Sequence, residues 1–215
     1  MKLYTYYRSS AAYRVRIALN IKELGVLYIP KHLLREGGEH QLDDYLALNP
    51  QGLVPALEHE GRVISQSLAI IEYLEEIHPE PPLLPRDPGE RAMVRSMAMA
   101  IACDIHPLNN LRVMNYLKGP LGQDEAAVGR WYAHWVAEGF RGLEEMAKRS
   151  SADGRHLYGN SVTMADVLLV PQVYNARRFR CDLAPYPTLV AISTHLESLP
   201  PFQAARPEAQ PDAEA

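Results

Sequence analysis

The segment YRSSAAYRVRIALN, Tyr7 to Asn20, sets a serine pair, Ser9 and Ser10, directly ahead of an amphipathic helical stretch that carries Arg14 and Arg16 among apolar residues. Serine at such a place caps a helix, worth about 1 kcal/mol over alanine. The same place suits a reactive anion. A free thiol, with a pKa near ~8.5, is mostly protonated at neutral pH. A helix start offers unpaired N–H groups and partial positive charge that favour the thiolate. A serine hydroxyl donating to the sulfur adds to this, and one serine can cap while the other activates.

Four further segments hold residues able to act on a ligand. SQS, Ser65 to Ser67, opens a second helix; it is either a cap or a seat for a carboxylate on helix N–H groups. In LVPAL, Pro55 stands at the entry to a strand, which fits an edge strand. CDIHPLNNLRVMNYL places His106, Asn109, Asn110 and Arg112 among Ile105, Leu108, Leu111 and Val113. Pro107 interrupts that helix, while His106 and Asn110, four apart, share a face if it continues. The strip is either a solvated or hydrogen-bonded face or part of a site. NARRFRCDL holds Arg177, Arg178 and Arg180, a basic turn after a helix or a carboxylate anchor. Guanidinium groups meet carboxylates bidentately and stay charged, so a dicarboxylate calls for two of them. By contrast, Thr163 and Asp166 read as a capping-box variant, a folding element without chemistry.

No metal site is expected, because no second His or carboxylate stands at ligand spacing from His106. The two cysteines, Cys103 and Cys181, lie in helix-like text without CxxC spacing, which fits a reducing compartment. With 47% hydrophobic residues and a net charge of −4, the composition supports a proper core and points to neither nucleic acid nor an anionic membrane surface. MKLYTYY lacks the apolar stretch of a signal peptide, and no run approaches the ~20 apolar residues of a membrane span. The expectation is a soluble, cytoplasmic protein.

These residues need elements to position them. Residues 1–80 alternate: a strand in KLYTYY, a helix over 10–24, a strand in VLYIPKHLL with Pro30 at an edge, a short helix in EHQLDDYLAL, a hairpin turning at Glu60-Gly61, and a helix from SQS. The order is βαβ, then ββα. Residues 81–89 lie in a segment with five prolines, PEPPLLPRDPG, that reads as a semi-rigid linker. Residues 90–215 read as helices near 90–117, 123–149, 163–176 and 187–199, with a polar tail expected to fray from about 203. The fold class is α/β plus all-α.

The arrangement and six motifs in order resemble the zeta class of glutathione transferases: RSSAAYRVRIAL (8–19), LNPQGLVPAL (48–57), QSLAIIEYLEE (66–76), HPLNNLRV (106–113), TMADVLLVPQV (163–173) and ARRFRCDLAPYPT (176–188). The resemblance runs from Lys2 to about Phe202. It implies a thioredoxin-like N-terminal domain that binds glutathione, an all-helical C-terminal domain that contributes the substrate pocket, and a homodimer. One departure is informative: the SSC of many members reads Ser9-Ser10-Ala11 here, so the sulfur nucleophile comes from glutathione.

The resemblance assigns roles. Ser9 or Ser10, with Ser9 favoured, activates the glutathione thiolate, with Arg8 beside them. Gln51, Val54, Pro55, Gln66, Ser67, His106 and Asn110 bind glutathione. A cis Val54-Pro55 bond would leave the Val54 backbone free to pair with the cysteinyl part, and Gln66 and Ser67 would hold the γ-glutamyl carboxylate. Arg8, Arg112 and Arg178 would hold a small dicarboxylic keto acid. The leading expectation is a glutathione-dependent cis–trans isomerase of maleylacetoacetate or maleylpyruvate, working by thiolate addition, bond rotation and elimination. The alternatives are a transferase or dehalogenase of small α-halo acids, told apart by consumption of glutathione or release of halide, and a non-catalytic binding protein.

Overall fold

The computed structural model describes residues 1–214. It divides into two compact units, Met1–Leu83 joined by the C-terminal segment from Ser198, and Leu84–Glu197. In the first unit β1 (Lys2–Thr5), α1 (Ser10–Ile21), β2 (Leu27–Pro30), α2 (Asp43–Leu48), β3 (Ala56–His59), β4 (Arg62–Ser65) and α3 (Ser67–Ile77) follow one another. The sheet order is β2-β1-β3-β4. β2 runs parallel to β1, while β3 and β4 are antiparallel to their neighbours. This mixed sheet is thioredoxin-like. Pro30 sits on the edge strand, where a missing N–H costs nothing to the ladder. Glu60 and Gly61 both take positive φ, 48° and 74°, the geometry of a two-residue hairpin turn.

α1 departs from the expected amphipathic helix. It is buried all round from Ala12 to Leu19, and Arg14 and Arg16 are 1% and 0% exposed. A buried guanidinium must find acceptors, and Arg16 finds them. Nε donates to the Ala205 carbonyl (3.1 Å), Nη1 to Thr5 Oγ1 (3.2 Å) and the Tyr6 carbonyl (3.4 Å), and Nη2 to the Tyr7 carbonyl (2.9 Å). Burial lowers its pKa to about 10.

Arg16 also explains why the tail expected to fray from about residue 203 is folded. α9 (Pro200–Ala205) packs on α1, with Phe202 and Ala205 fully buried. Asn20 donates to the Pro201 carbonyl at 2.9 Å. Composition counts side chains and sees little to bury here; the tail's backbone is held by polar groups of α1. Ala215 lies outside the described residues.

The second unit contains α4 (Pro88–Met99), α5 (Leu111–Lys118), α6 (Glu125–Ser150), α7 (Met164–Arg178) and α8 (Pro187–Glu197). α7 is its central helix, buried over most of its length and packed on α4 and α8. The stretch read as helical near 90–117, with an interruption expected at Pro107, is four pieces: α4, a π-helical turn at Ala100–Ile105, a 3-10 turn at Pro107–Asn109 and α5. Pro107 lacks the N–H that would continue the ladder. Gly139 of α6 makes room for the π turn, since a Cβ there would come within 2.2 Å of the buried Ile105 side chain. Thr163 and Asp166 form the expected capping box, and Asp166 also accepts from the Leu157 N–H at 2.7 Å. Cys181 lies past the end of α7, not within a helix. No helix among the described residues is long and apolar enough to cross a membrane.

Candidate active site

At the head of α1, Ser9 is the N-cap (φ −70°, ψ 114°), and its Oγ accepts from the Ala12 N–H at 3.2 Å. A hydroxyl that accepts in this way keeps its own proton to donate. Ser10 is the first residue of α1 and is 6% exposed. Arg8 is half-buried; its Nε and Nη2 approach the Tyr6 hydroxyl at 3.4 and 3.2 Å, and its guanidinium lies 5.2 Å from the Tyr7 ring centre. The Tyr6 contact raises the Arg8 pKa, so Arg8 is a fixed cation beside the serine pair.

The loop from Asn49 to Pro55 is built by side chains that sequence reading did not single out. Asn49 Nδ2 and the Tyr45 hydroxyl both donate to the Leu53 carbonyl, at 2.8 and 2.7 Å. Burial pushes the Tyr45 pKa up to about 12. The loop leads into a cis Val54-Pro55 bond. The Val54 side chain packs with Tyr6, Tyr7 and Tyr45, so the end of the loop touches the residues before Arg8. Gln51 and Gln66 are brought together: Gln66 Nε2 donates to Gln51 Oε1 at 2.9 Å. Gln66 takes a φ of 71°, a region that a non-glycine residue occupies at a cost of about 1–3 kcal/mol and that clusters at functional sites. Ser67 begins α3, and its Oγ accepts from the buried Arg14 Nη1 at 3.3 Å.

Also missed was His40. Its Nδ1 is buried with no hydrogen-bond partner among the described residues, and burial lowers its pKa. Gly38, at a φ of 107°, allows this approach; a Cβ there would stand 2.5 Å from the His40 ring. The only signal in the sequence was a histidine beside paired glycines.

In the second unit the expected polar face does not form. His106 ends the π turn, and Asn110 is extended (φ −68°, ψ 149°), so their four-residue spacing puts nothing on a common helix face. Asn110 caps α5 through Oδ1, which accepts from the Arg112 N–H at 3.1 Å. Arg112 is exposed in the first turn of α5. Arg178 is exposed at the end of α7, with its guanidinium 4.8 Å from the Phe179 ring centre. Phe179 in turn stacks on Tyr132, ring centres 3.8 Å apart. Neither arginine is in an ion pair among the described residues, whereas the neighbouring Arg177 is bound to Glu197 at 2.6 Å. No group of three His, Cys, Asp or Glu side chains among the described residues gathers as a metal site.

The first unit thus carries two helix heads suited to anions. One is capped by a serine with a proton to give and lies beside Arg8. The other carries Ser67 backed by Arg14, with a strained Gln66 before it. The same unit holds the buried His40 Nδ1, which has no partner among the described residues. Such a set fits a flexible, carboxylate-bearing thiol.

Residues 3–82 match the family model of the glutathione S-transferase N-terminal domain. The chain is 51% identical over 211 residues to a probable maleylacetoacetate isomerase of Vibrio cholerae, covering 98% of this chain and 97% of that one. It is similar in structure to a maleylpyruvate isomerase described as a bacterial zeta-class glutathione S-transferase in holo form (TM-score 0.96, 46% identity, all of both chains). It is also similar to a maleylacetoacetate isomerase of Methylobacterium extorquens AM1 with bound malonate and glutathione (TM-score 0.93, 38% identity, all of both chains). The chain belongs to the zeta class of the glutathione transferase family.

Proposed function

We propose that this protein is a glutathione-dependent cis–trans isomerase of maleylacetoacetate or maleylpyruvate. The observation that carries the reading is the head of α1, where Ser9 caps the helix with its own proton free to donate, in a chain that matches such isomerases over nearly its full length.

Glutathione, when bound, supplies a thiolate that adds to the activated double bond and departs once the former double bond has rotated. Ser9 holds that sulfur as its anion by donating a hydrogen bond from its hydroxyl, with the α1 N–H groups adding to the field. Ser10 keeps the first turn in place. Gln66, Ser67 and the α3 head take the γ-glutamyl carboxylate, Val54 pairs its backbone with the cysteinyl part, and Gln51 orients Gln66. Pro55 sets the direction of Val54, and His40 adds a hydrogen-bonding nitrogen. His106 and Asn110 bind glutathione as well. Arg8 stabilises the enolate charge that develops on the keto acid, and Arg112 and Arg178 anchor its carboxylates. The first unit is the glutathione-binding domain, and the helical unit contributes the substrate pocket. A cytoplasmic homodimer is part of the same proposal, and light scattering on the purified protein tests the dimer.

The test is the loss of maleylpyruvate and maleylacetoacetate absorbance in parallel, with catalytic glutathione and without. Turnover beyond the glutathione supplied establishes the isomerase, and the rate ratio names the substrate. No turnover of either, with glutathione bound, overturns the proposal in favour of conjugation or dehalogenation.

A further inference from the structure

Beyond α9 the chain makes one more 3-10 turn at Pro207–Ala209. Gln210 locks it by donating Nε2 to the Ala204 and Arg206 carbonyls at 2.9 and 2.8 Å. The segment Pro211–Glu214 then crosses the first unit. Asp212 Oδ2 accepts the backbone N–H of Tyr7 at 2.9 Å. Ala213 packs on the cluster of Tyr6, Tyr7, Tyr45 and Val54. Glu214 Oε1 meets Arg35 Nη2 at 2.5 Å and stands 3.2 Å from His32 Nε2. His32 Nδ1 accepts from the Leu34 and Arg35 N–H groups, which leaves the ring proton on Nε2, facing the carboxylate. A cavity of ≈ 290 Å³ lies between this segment and the stretch around His32, Arg35 and Glu39.

Tyr7 immediately precedes Arg8 and Ser9. Its peptide groups are gripped from both sides. Asp212 takes the N–H, while Arg16 donates to the carbonyls of Tyr6 and Tyr7. The Asp212 charge also acts on Arg16, opposing the loss of its proton. We propose that the segment Pro211–Glu214 is a strap that sets the position of the Arg8–Ser9 loop, with Asp212 as its positioning residue. The inference rests on the role given to Ser9 above. Without the strap the Tyr7 N–H loses its fixed acceptor and the loop can shift; an ångström of displacement at reacting geometry can cost up to ~10²-fold in rate.

The test uses the full chain, the Asp212→Ala and Asp212→Asn variants, and a chain ending at Gln210. Two readouts are taken: the pH titration of bound glutathione by ultraviolet thiolate absorbance, and kcat and KM for the keto acid. In Asp212→Ala and in the shortened chain the bound thiol titrates about one pH unit higher, equivalent to a tenfold loss of thiolate, and kcat falls about tenfold while KM moves less than about twofold. Loss of a nearby negative charge acts in the opposite direction, since it favours a thiolate, so an upward shift reports position. Asp212→Asn keeps an oxygen acceptor for Tyr7 while losing the charge, so it titrates with the parent chain or slightly below it. A titration unchanged in Asp212→Ala, or shifted downward in both point variants, overturns the strap. A parent chain that binds glutathione as thiolate but turns over no keto acid overturns the isomerase reading, and the titration still decides the strap. A parent chain that binds no glutathione overturns both.

Discussion

Arg14 and Ser67 tie the two helix heads of the first unit together: the arginine, in α1, donates Nη1 to the serine Oγ in the first turn of α3 at 3.3 Å, with both residues buried. The contact makes the head of α3 depend on a charge inside α1. Ser67→Ala removes an acceptor from that buried guanidinium and is expected to lower stability by about 1–3 kcal/mol. Glutathione affinity falls with it. Urea unfolding and calorimetric titration with glutathione measure the two effects, and an unchanged affinity would separate Ser67 from the cofactor.

The serine pair divides its work by geometry. Ser9 is the N-cap and half-exposed, whereas Ser10 lies buried in the first turn. Ser9→Ala is expected to cost about 1 kcal/mol of stability as a lost cap and about 10²-fold in kcat as a lost donor to developing charge. Ser10→Ala is expected to affect packing and leave most of the rate. Side-by-side kinetics decide; equal, near-parental activity in both variants would sink serine activation.

The segment after α3 is anchored by a buried ion pair. Lys22 Nζ meets Glu75 Oε2 at 2.7 Å with the side chains 0% and 7% exposed, and both Glu75 oxygens accept from the Leu83 N–H at 3.1 and 3.0 Å. Lys22 also donates to the His78 and Pro81 carbonyls. Glu75→Ala leaves the lysine charge buried beside carbonyls alone. The expected loss is about 3–5 kcal/mol, read from the urea midpoint, and a loss below about 1 kcal/mol would place the pair among ordinary surface contacts.

The strap has an acid limit. Glu214 titrates below its ordinary 4.5, held down chiefly by its hydrogen bond from Arg35. The sign follows from a depressed carboxylate: its contribution to docking is fully present above 4.5 and is lost as pH falls through the lower folded value. The amide shift of Ala213, followed by nuclear magnetic resonance from neutral to acid pH, should therefore move with a midpoint below 4.5, and Glu214→Gln should abolish that step. A midpoint at or above the ordinary value would contradict the Arg35 contact.

By itself the sequence determined the elements that depend on local patterns. Alternation and turn chemistry specified the strands and the Glu60-Gly61 hairpin, Pro107 the break before α5, and Thr163 with Asp166 the start of α7. Motif order specified the family and the two serine-bearing helix heads. Only the tertiary structure decided that Arg14 and Arg16 point inward, because an arginine in an apolar helix is affordable inside only where distant carbonyls and hydroxyls converge on it. It decided that Gln51 meets Gln66, that His40 Nδ1 is buried without a partner among the described residues, and that His106 and Asn110 share no helix face once the backbone tightens at Pro107. It decided, too, that the polar tail folds back and reaches Tyr7. Each of these outcomes depends on contacts between residues far apart in the chain, and periodicity carries no record of them.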